Sequence, residues 1–137
     1  MRILAVDYGT KRTGLAIGDD ETRVALPLGL IATGDLAALV DAVADVAERE
    51  GVDRIVVGEP LHMDGTTGPM VETVRSLADT LRERTGLTVD LFDERLTSHA
   101  AEGRFVGTPF TKRQRQRRVD ALAAMIILQS YLDTSVG

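Results

Sequence analysis

The chain has 137 residues and a net charge of −5, and its 44% hydrophobic and 27% charged content is typical of one globular domain, here residues 1–137. The lack of cysteine excludes disulfides and zinc–thiolate sites and fits a cytoplasmic protein. Because the chain has only two histidines, we expect any bound metal to have oxygen ligands, which favours Mg²⁺ or Mn²⁺. No apolar stretch reaches the ~18 residues of a membrane span and no signal peptide follows Met1, so we expect no membrane partner.

The first predicted element is a strand over residues 2–7, a short apolar run that ends at Asp7. Residues 8–12 form a turn, and residues 13–19 return as the second strand. A carboxylate at the end of a buried strand is costly to desolvate unless hydrogen-bond donors or a cation meet it. Asp7 therefore either caps the turn or binds something positively charged.

The predicted order of the whole chain is βββαβαβαα, and Pro27 is typical of an edge strand. The third, fourth and fifth strands are predicted over residues 24–33, 54–58 and 87–92. The helices are predicted from a cap at Asp35 to Gly51, from Pro69 to Gly86, from about residue 97 to 106, and from about residue 113 to 132.

This order predicts an α/β fold. Short turns join the first three strands, which are expected to be antiparallel, whereas the helical connections make the later strands parallel. The result is a mixed five-stranded sheet with helices on both faces. In sheets of this kind, ligands bind at the carboxyl ends of the parallel strands.

Acidic residues occur where these parallel strands would end. Asp7 ends the first strand, Glu59 follows the fourth, Asp93 and Glu94 follow the fifth, and Asp120 lies near the start of the last helix. Clustered carboxylates repel one another unless a cation neutralises them. Two divalent ions about 3.5–4 Å apart would do so and would support in-line phosphoryl displacement.

Each acid also has a purely structural interpretation, and the residue pattern leaves both interpretations open. Asp7 can be a turn residue, and Glu59 can be a solvated loop residue. Asp93 can pair with Arg95 or cap the helix that follows, and Asp120 can pair with an arginine one turn earlier. The expected convergence of these acids at one edge of the sheet favours a metal site.

Basic charge is concentrated just before Asp120, in residues 112–118, which contain five cations and no acid. Positive charge at the start of a helix opposes the helix dipole, so this run favours an anionic partner such as a nucleic-acid backbone. The predicted nucleic-acid contacts are Lys11, Arg12, Lys112, Arg113, Arg115, Arg117 and Arg118.

Four segments, in order along the chain, resemble the YqgF/RuvX family of candidate Holliday junction resolvases and pre-16S rRNA nucleases. They are residues 7–16, residues 56–58 with Pro60 and residues 63–65, residues 93–97, and residues 119–121 leading into 126–129. The resemblance implies a ribonuclease H-like fold and a metal site made of Asp7, Glu94 and Asp120. At the position of Glu59, the family commonly has an apolar residue. We keep Glu59 as an additional candidate ligand.

The predicted function is metal-dependent hydrolysis of structured RNA or branched DNA, in rRNA end processing or Holliday junction resolution. Asp7 would bridge two Mg²⁺ or Mn²⁺ ions, with Glu94 and Asp120 as terminal ligands, and the resemblance implies products with 5′-phosphate and 3′-hydroxyl ends. The alternatives are a non-catalytic nucleic-acid-binding factor in ribosome maturation and, from residues 7–10, an actin-like ATP-binding domain. Symmetric junction cleavage would require a homodimer, whereas one-sided trimming would not.

Overall fold

The computed structural model describes residues 1–61, 64–96 and 112–134, and the side chains of residues 112–121 lie outside that description. The strands are β1 (Arg2–Asp7), β2 (Arg12–Asp19), β3 (Val24–Ala32), β4 (Arg54–Glu59) and β5 (Thr88–Asp93). The helices are α1 (Leu36–Glu50), α2 (Pro69–Thr85) and α3 (Lys112–Thr134), with a 3₁₀ turn at Glu94–Leu96. The predicted order is confirmed for these elements, and the helix predicted over residues 97–106 lies outside the described residues. In the described part of the chain, no helix is long and apolar enough to cross a membrane.

The ends of α1 and α2 follow the predicted signals. Asp35 caps α1, since its Oδ1 accepts a hydrogen bond of 2.7 Å from the amide of Ala38. Gly51 ends this helix at φ 64°, a left-handed conformation that a side chain would strain. Pro69 begins α2, and Gly86 ends it at φ 70°. Local chemistry therefore defines both helices.

The five strands form one mixed sheet in the order β3-β2-β1-β4-β5. β1 is antiparallel to β2, β2 is antiparallel to β3, and β1, β4 and β5 run parallel to one another. The predicted topology is confirmed. The C-terminal ends of the three parallel strands, at Asp7, Glu59 and Asp93, lie along one side of the sheet, which we call the carboxyl edge.

Alternate strand residues face one of two helical layers. The face under α1 and α2 buries Leu4, Val6, Ile55 and Val57. The face under α3 buries the residues between them, Ile3, Ala5 and Val56, together with Phe92 of β5. Successive strand residues point to opposite faces of the sheet. The same alternation therefore determines whether a residue at the carboxyl edge lies on the side of α1 and α2 or on the side of α3.

Helix α3 runs antiparallel to β4 across its face of the sheet. Ile127 packs near the carboxyl edge, where a Cβ added to Gly58 would lie 2.8 Å from Ile127 Cδ1. One turn later, the hydroxyl of Tyr131 accepts a hydrogen bond of 2.7 Å from Nη1 of Arg54, at the opposite end of β4. The N-terminal part of α3 therefore extends toward the carboxyl edge.

Side chains bind main-chain groups of both outer strands. On β5, the guanidinium of Arg82 donates hydrogen bonds of 3.0 and 2.7 Å to the carbonyl oxygen of Val89. On β3, the amide of Ala25 donates a hydrogen bond of 3.1 Å to Oε1 of Gln129, and Pro27 has no amide hydrogen. These contacts hold α2 and α3 to the two outer strands of the sheet.

Two buried threonines hold the turn between β1 and β2. Thr33 Oγ1 donates a hydrogen bond of 2.6 Å to the carbonyl oxygen of Gly9, and the amide of Thr33 donates one of 3.0 Å to the carbonyl oxygen of Lys11. Thr13 Oγ1 lies 2.8 Å from Thr33 Oγ1. Because the one hydroxyl proton of Thr33 is used on Gly9, Thr13 is the donor to Thr33. The backbone that follows Asp7 is thus held by a directed chain of hydrogen bonds.

Thr33→Val is expected to lower the free energy of unfolding by about 1–3 kcal/mol, because it leaves the carbonyl of Gly9 and the hydroxyl of Thr13 without their partner. Thr13→Val makes the same change but keeps the bond from Thr33 to Gly9, so we expect a smaller loss. Urea denaturation of the two variants measures the difference. Equal losses would contradict this direction of the hydrogen bonds.

Candidate active site

Asp7 and Glu94 form a pair of carboxyl groups at the carboxyl edge. Asp7 ends β1, and Glu94 begins the 3₁₀ turn directly after β5. Both lie on the α3 face: Asp7 comes two residues after the buried Ala5, and Glu94 lies beside Ile127 of α3. Their side chains are hydrogen-bonded to each other. The structure therefore brings two of the sequence-predicted ligands together.

Burial raises the pKa of the Glu94 carboxyl above its ordinary value, the hydrogen bond with Asp7 opposes this rise, and the charge of Asp93 adds to it. Two carboxylates cannot hydrogen-bond to each other when both are ionised, so their close approach favours either a shared proton or a cation between them. Carboxylate oxygens are the ligands that hard divalent cations prefer. The pair therefore fits an Mg²⁺ or Mn²⁺ site.

Asp120 lies in the N-terminal part of α3, and its side chain is outside the described residues. The helical period puts residue 120 in line with Ala124 and Ile127, which are buried against the sheet. Since α3 extends toward the carboxyl edge, this position lies on the side of the sheet where Asp7 and Glu94 meet. Among the side chains that are described, no third acid or histidine joins the pair. The role of Asp120 stays a prediction.

The predicted nucleic-acid contacts lie at the same side of the sheet. Lys11 is exposed in the turn that follows Asp7, and Arg12 begins β2 and is half-buried. The other five begin α3, ahead of Asp120: Lys112, Arg113, Arg115, Arg117 and Arg118. The backbone thus places both groups of basic residues toward the carboxyl edge, and their contact with nucleic acid stays a prediction.

Glu59 lies on the opposite face of the sheet from Asp7. It comes two residues after Val57, which is buried under α1 and α2, and strand alternation gives Glu59 the same face. Its Oε2 accepts a hydrogen bond of 2.7 Å from Nε of Arg75 in α2, and 13% of its side chain is exposed. The structure does not bring Glu59 to the carboxyl pair. The positive charge that Glu59 contacts is the guanidinium of Arg75.

Glu59→Gln is expected to keep metal-dependent cleavage within about twofold of the wild-type rate, because the changed group faces Arg75 and not Asp7. The ion pair is partly exposed, since 48% of the Arg75 side chain is accessible. Its loss should lower the free energy of unfolding by about 1 kcal/mol or less. Initial cleavage rates and thermal unfolding measure both effects. A hundredfold loss of the cleavage rate would instead indicate that Glu59 is a metal ligand.

Asp93 pairs with Arg95 and caps the turn after β5, so the structural interpretation of this acid is confirmed. Nη2 of Arg95 lies 2.6 Å from Oδ2 of Asp93, and the amide of Arg95 donates a hydrogen bond of 2.9 Å to Oδ1. The Arg95 guanidinium lowers the pKa of the Asp93 carboxyl. Arg95 also faces the loop after β4, where a Cβ added to Gly65 would lie 3.4 Å from its Nη1. The ion pair of Asp93 and Arg95 therefore stabilises the turn that contains Glu94.

Known proteins resemble the chain over nearly its whole length. Residues 1–134 match a family model described as RuvX, Holliday junction resolvase. A relative in Anaeromyxobacter sp. (strain K) is 43% identical over 97% of both chains, and one in Moorella thermoacetica is 41% identical over 97% of this chain and 95% of its own. A relative in Bacillus cytotoxicus is 40% identical over 98% of this chain and 99% of its own. All three are named as candidate pre-16S rRNA nucleases.

Solved resolvase structures share the fold at lower identity. RuvC of T. thermophilus in complex with a Holliday junction substrate has a TM-score of 0.63 at 16% identity, over 100% of this chain and 98% of that one. The fowlpox virus resolvase in complex with Holliday junction DNA has a TM-score of 0.59 at 13% identity, over 100% of both chains. These likenesses confirm the predicted ribonuclease H-like fold. The family match over residues 1–134 and the relatives at 40% identity or more show that the chain belongs to the RuvX family of resolvase-like nucleases.

Proposed function

We propose that this protein hydrolyses phosphodiester bonds in structured nucleic acid with two divalent cations, Mg²⁺ or Mn²⁺. The observation that carries the proposal is the hydrogen-bonded pair of Asp7 and Glu94 at the carboxyl edge. Placing a buried acid beside a second acid destabilises the ionised pair, and the arrangement becomes favourable when a cation replaces the shared proton. Family membership supports the reaction class, because the chain matches a family of nucleases.

The proposed ligands approach the site from three elements. Asp7 ends β1, the middle strand of the sheet, and would contact both ions. Glu94 would approach from the end of β5 and Asp120 from α3. Bound divalent cations supply an activated water and stabilise the leaving oxygen. Glu59 is left out of this set because its contact with Arg75 lies on the other face.

The basic residues would hold the substrate while the acids hold the cations. Lys11 belongs to the turn after Asp7, Arg12 begins β2, and residues 112–118 begin the helix that carries Asp120. Lysine and arginine at this density neutralise several phosphates, so binding should weaken steeply with salt. Phosphate contacts position a nucleic acid without reading its sequence, which suits recognition of a structured end or junction.

Precursor rRNA ends are the favoured substrate. The relatives at 40–43% identity are named for pre-16S rRNA, whereas the likeness to RuvC is at 16% identity and informs the fold alone. The family description makes the four-way DNA junction the second substrate to test, and its symmetric cleavage would need a homodimer. The match over residues 1–134 gives no support to an actin-like ATP-binding domain.

A cleavage panel tests this function. End-labelled precursor rRNA ends, four-way junctions and single strands are incubated with Mg²⁺, Mn²⁺ or a chelator, and the products are mapped for 5′-phosphate and 3′-hydroxyl ends. We expect metal-dependent cleavage of the precursor ends by the intact protein and a loss of cleavage in Asp7→Asn. Salt-sensitive binding without cleavage, unchanged by Asp7→Asn, would instead establish a non-catalytic ribosome-maturation factor.

A further inference from the structure

Gly58 lies directly beneath the side chain of Glu94. Strand β4 separates β1, which ends at Asp7, from β5, which leads into Glu94. To reach Asp7, the Glu94 side chain therefore has to cross the end of β4. It crosses at Gly58, where an added Cβ would lie 3.0 Å from Cγ and 3.0 Å from Cδ of Glu94.

Ile127 of α3 covers the same point of the sheet. Its Cδ1 would lie 2.8 Å from a Cβ added to Gly58, and its side chain is buried. Non-bonded carbon atoms rest about 3.5–4.0 Å apart, so a methyl group at this position is too close to both neighbours. A side chain at residue 58 would displace either Ile127, and α3 with it, or Glu94 from its line to Asp7.

Backbone conformation does not explain the glycine. Gly58 is not one of the glycines with positive φ, so an L-residue could adopt its extended conformation. The register gives a different reason: Val6 pairs with Val57, which places Gly58 next to Asp7, and Gly58 pairs with Phe92 on its other side. The missing side chain is therefore the one that would stand between the two acids.

We infer that Gly58 is a positioning residue for the metal site, because its lack of a side chain allows Glu94 to approach Asp7. The consequence for metal binding rests on the proposed function, whereas the consequence for the carboxyl pair does not. A side chain at residue 58 is expected to separate the two carboxyl groups. Affinity for divalent cations should then fall by about 10–100-fold, the range seen when residues that orient metal ligands are changed.

Gly58→Ala tests the inference, with Gly18→Ala as the matched control. Gly18 also lies beneath α3, where an added Cβ would be 3.0 Å from Cδ2 of Leu128 and 3.0 Å from the carbonyl oxygen of Val24, but it pairs with Ile3, far from the carboxyl edge. Both variants should unfold at a lower temperature. Calorimetric Mn²⁺ titration without nucleic acid should show weakened binding in Gly58→Ala but not in Gly18→Ala. The cleavage rate of Gly58→Ala should fall together with its Mn²⁺ affinity. Wild-type Mn²⁺ affinity in Gly58→Ala would overturn the inference.

A double variant separates packing from positioning. Gly58→Ala combined with Ile127→Val removes the Cδ1 atom and relieves the contact with α3, but it leaves the contact with Glu94. The thermal stability should recover relative to Gly58→Ala, while the Mn²⁺ affinity stays low. Recovery of both would mean that Gly58 acts through the packing of α3, and the inference would be wrong.

A metal-free crystal structure of Gly58→Ala, or of the double variant if the single one does not fold, measures the carboxyl pair directly. We expect the hydrogen bond between Glu94 and Asp7 to be lost. Its retention would overturn the inference. If the wild-type protein neither binds Mn²⁺ nor cleaves nucleic acid, the proposed function fails, and this structure still decides whether Gly58 positions Glu94.

Discussion

Replacing Asp7 with Asn is expected to reduce the single-turnover rate of metal-dependent cleavage about a thousandfold, which corresponds to about 4 kcal/mol of lost transition-state stabilisation. Asparagine has the same size but is neutral, so it cannot serve as a charged bridging ligand. Its amide can still donate a hydrogen bond to the Glu94 carboxylate. The fold should therefore persist while the reaction is lost, and cleavage rates together with thermal unfolding measure the two effects.

Asp19→Asn is the matched control for this substitution. Asp19 ends β2 at the opposite side of the sheet, and its Oδ1 accepts a hydrogen bond of 2.7 Å from the amide of Glu21. Asparagine keeps that acceptor, so we expect a rate within about twofold of wild type. Full cleavage by Asp7→Asn, or an equal loss in Asp19→Asn, would contradict the assignment of the site.

Replacing Glu94 with Gln is expected to move activity and stability in opposite directions. Cleavage should fall about a hundredfold or more, because a charged ligand is lost. The metal-free protein should become more stable at about pH 7, because the buried carboxylate no longer has to be ionised next to Asp7. A residue with a purely structural role would lose both together.

The direction of the stability change follows from the raised pKa of Glu94. The ordinary pKa of the carboxyl is 4.5, and burial raises it in the folded protein. The folded chain therefore keeps the proton at pH values where the unfolded chain has released it. This contribution to stability is complete below the ordinary pKa and is lost as the pH rises through the folded-state pKa. The advantage of Glu94→Gln should accordingly be absent in acid and appear toward neutral pH.

Thermal unfolding in chelator, from about pH 4 to pH 8, checks this prediction. The melting temperature of Glu94→Gln should match wild type at the acidic end and exceed it at the neutral end. Adding Mn²⁺ should then raise the melting temperature of the wild type more than that of the variant, because a ligand stabilises the form that binds it. A lower melting temperature for the variant at neutral pH in chelator would contradict the destabilising role of the Glu94 charge.

The topology was predictable from the sequence because it depends on local patterns. Short turns imply antiparallel neighbours and helical connections imply parallel ones, and the caps at Asp35 and Gly51 mark where α1 begins and ends. The meeting of Asp7 and Glu94 follows from that topology, since parallel strands end at one side of a sheet. The role of Asp120 as a metal ligand stays a prediction, because its side chain lies outside the described residues.

The direction of Glu59 was not predictable in the same way. The predicted strand ends at residue 58, whereas β4 continues through Glu59. One more residue of strand is enough to turn this acid to the face of α1 and α2, away from Asp7. Nothing in the sequence marks Arg75 as its partner, because that contact depends on how α2 packs. The role of Gly58 is equally hidden, since a glycine after two valines is typical of any strand end.

The side chains bound to the outer strands also bear on how two copies of the protein could associate. Arg82 occupies an acceptor of β5, Gln129 occupies a donor of β3, and Pro27 has no donor to offer. A strand from a second copy would have to displace these groups before it could add to either side. These contacts disfavour strand addition at Val89, Ala25 and Pro27, so a homodimer acting on a symmetric junction is expected to use other surfaces, such as helices or loops. Its two sheets would then remain separate, and the distance between the two cleavage sites would depend on those surfaces.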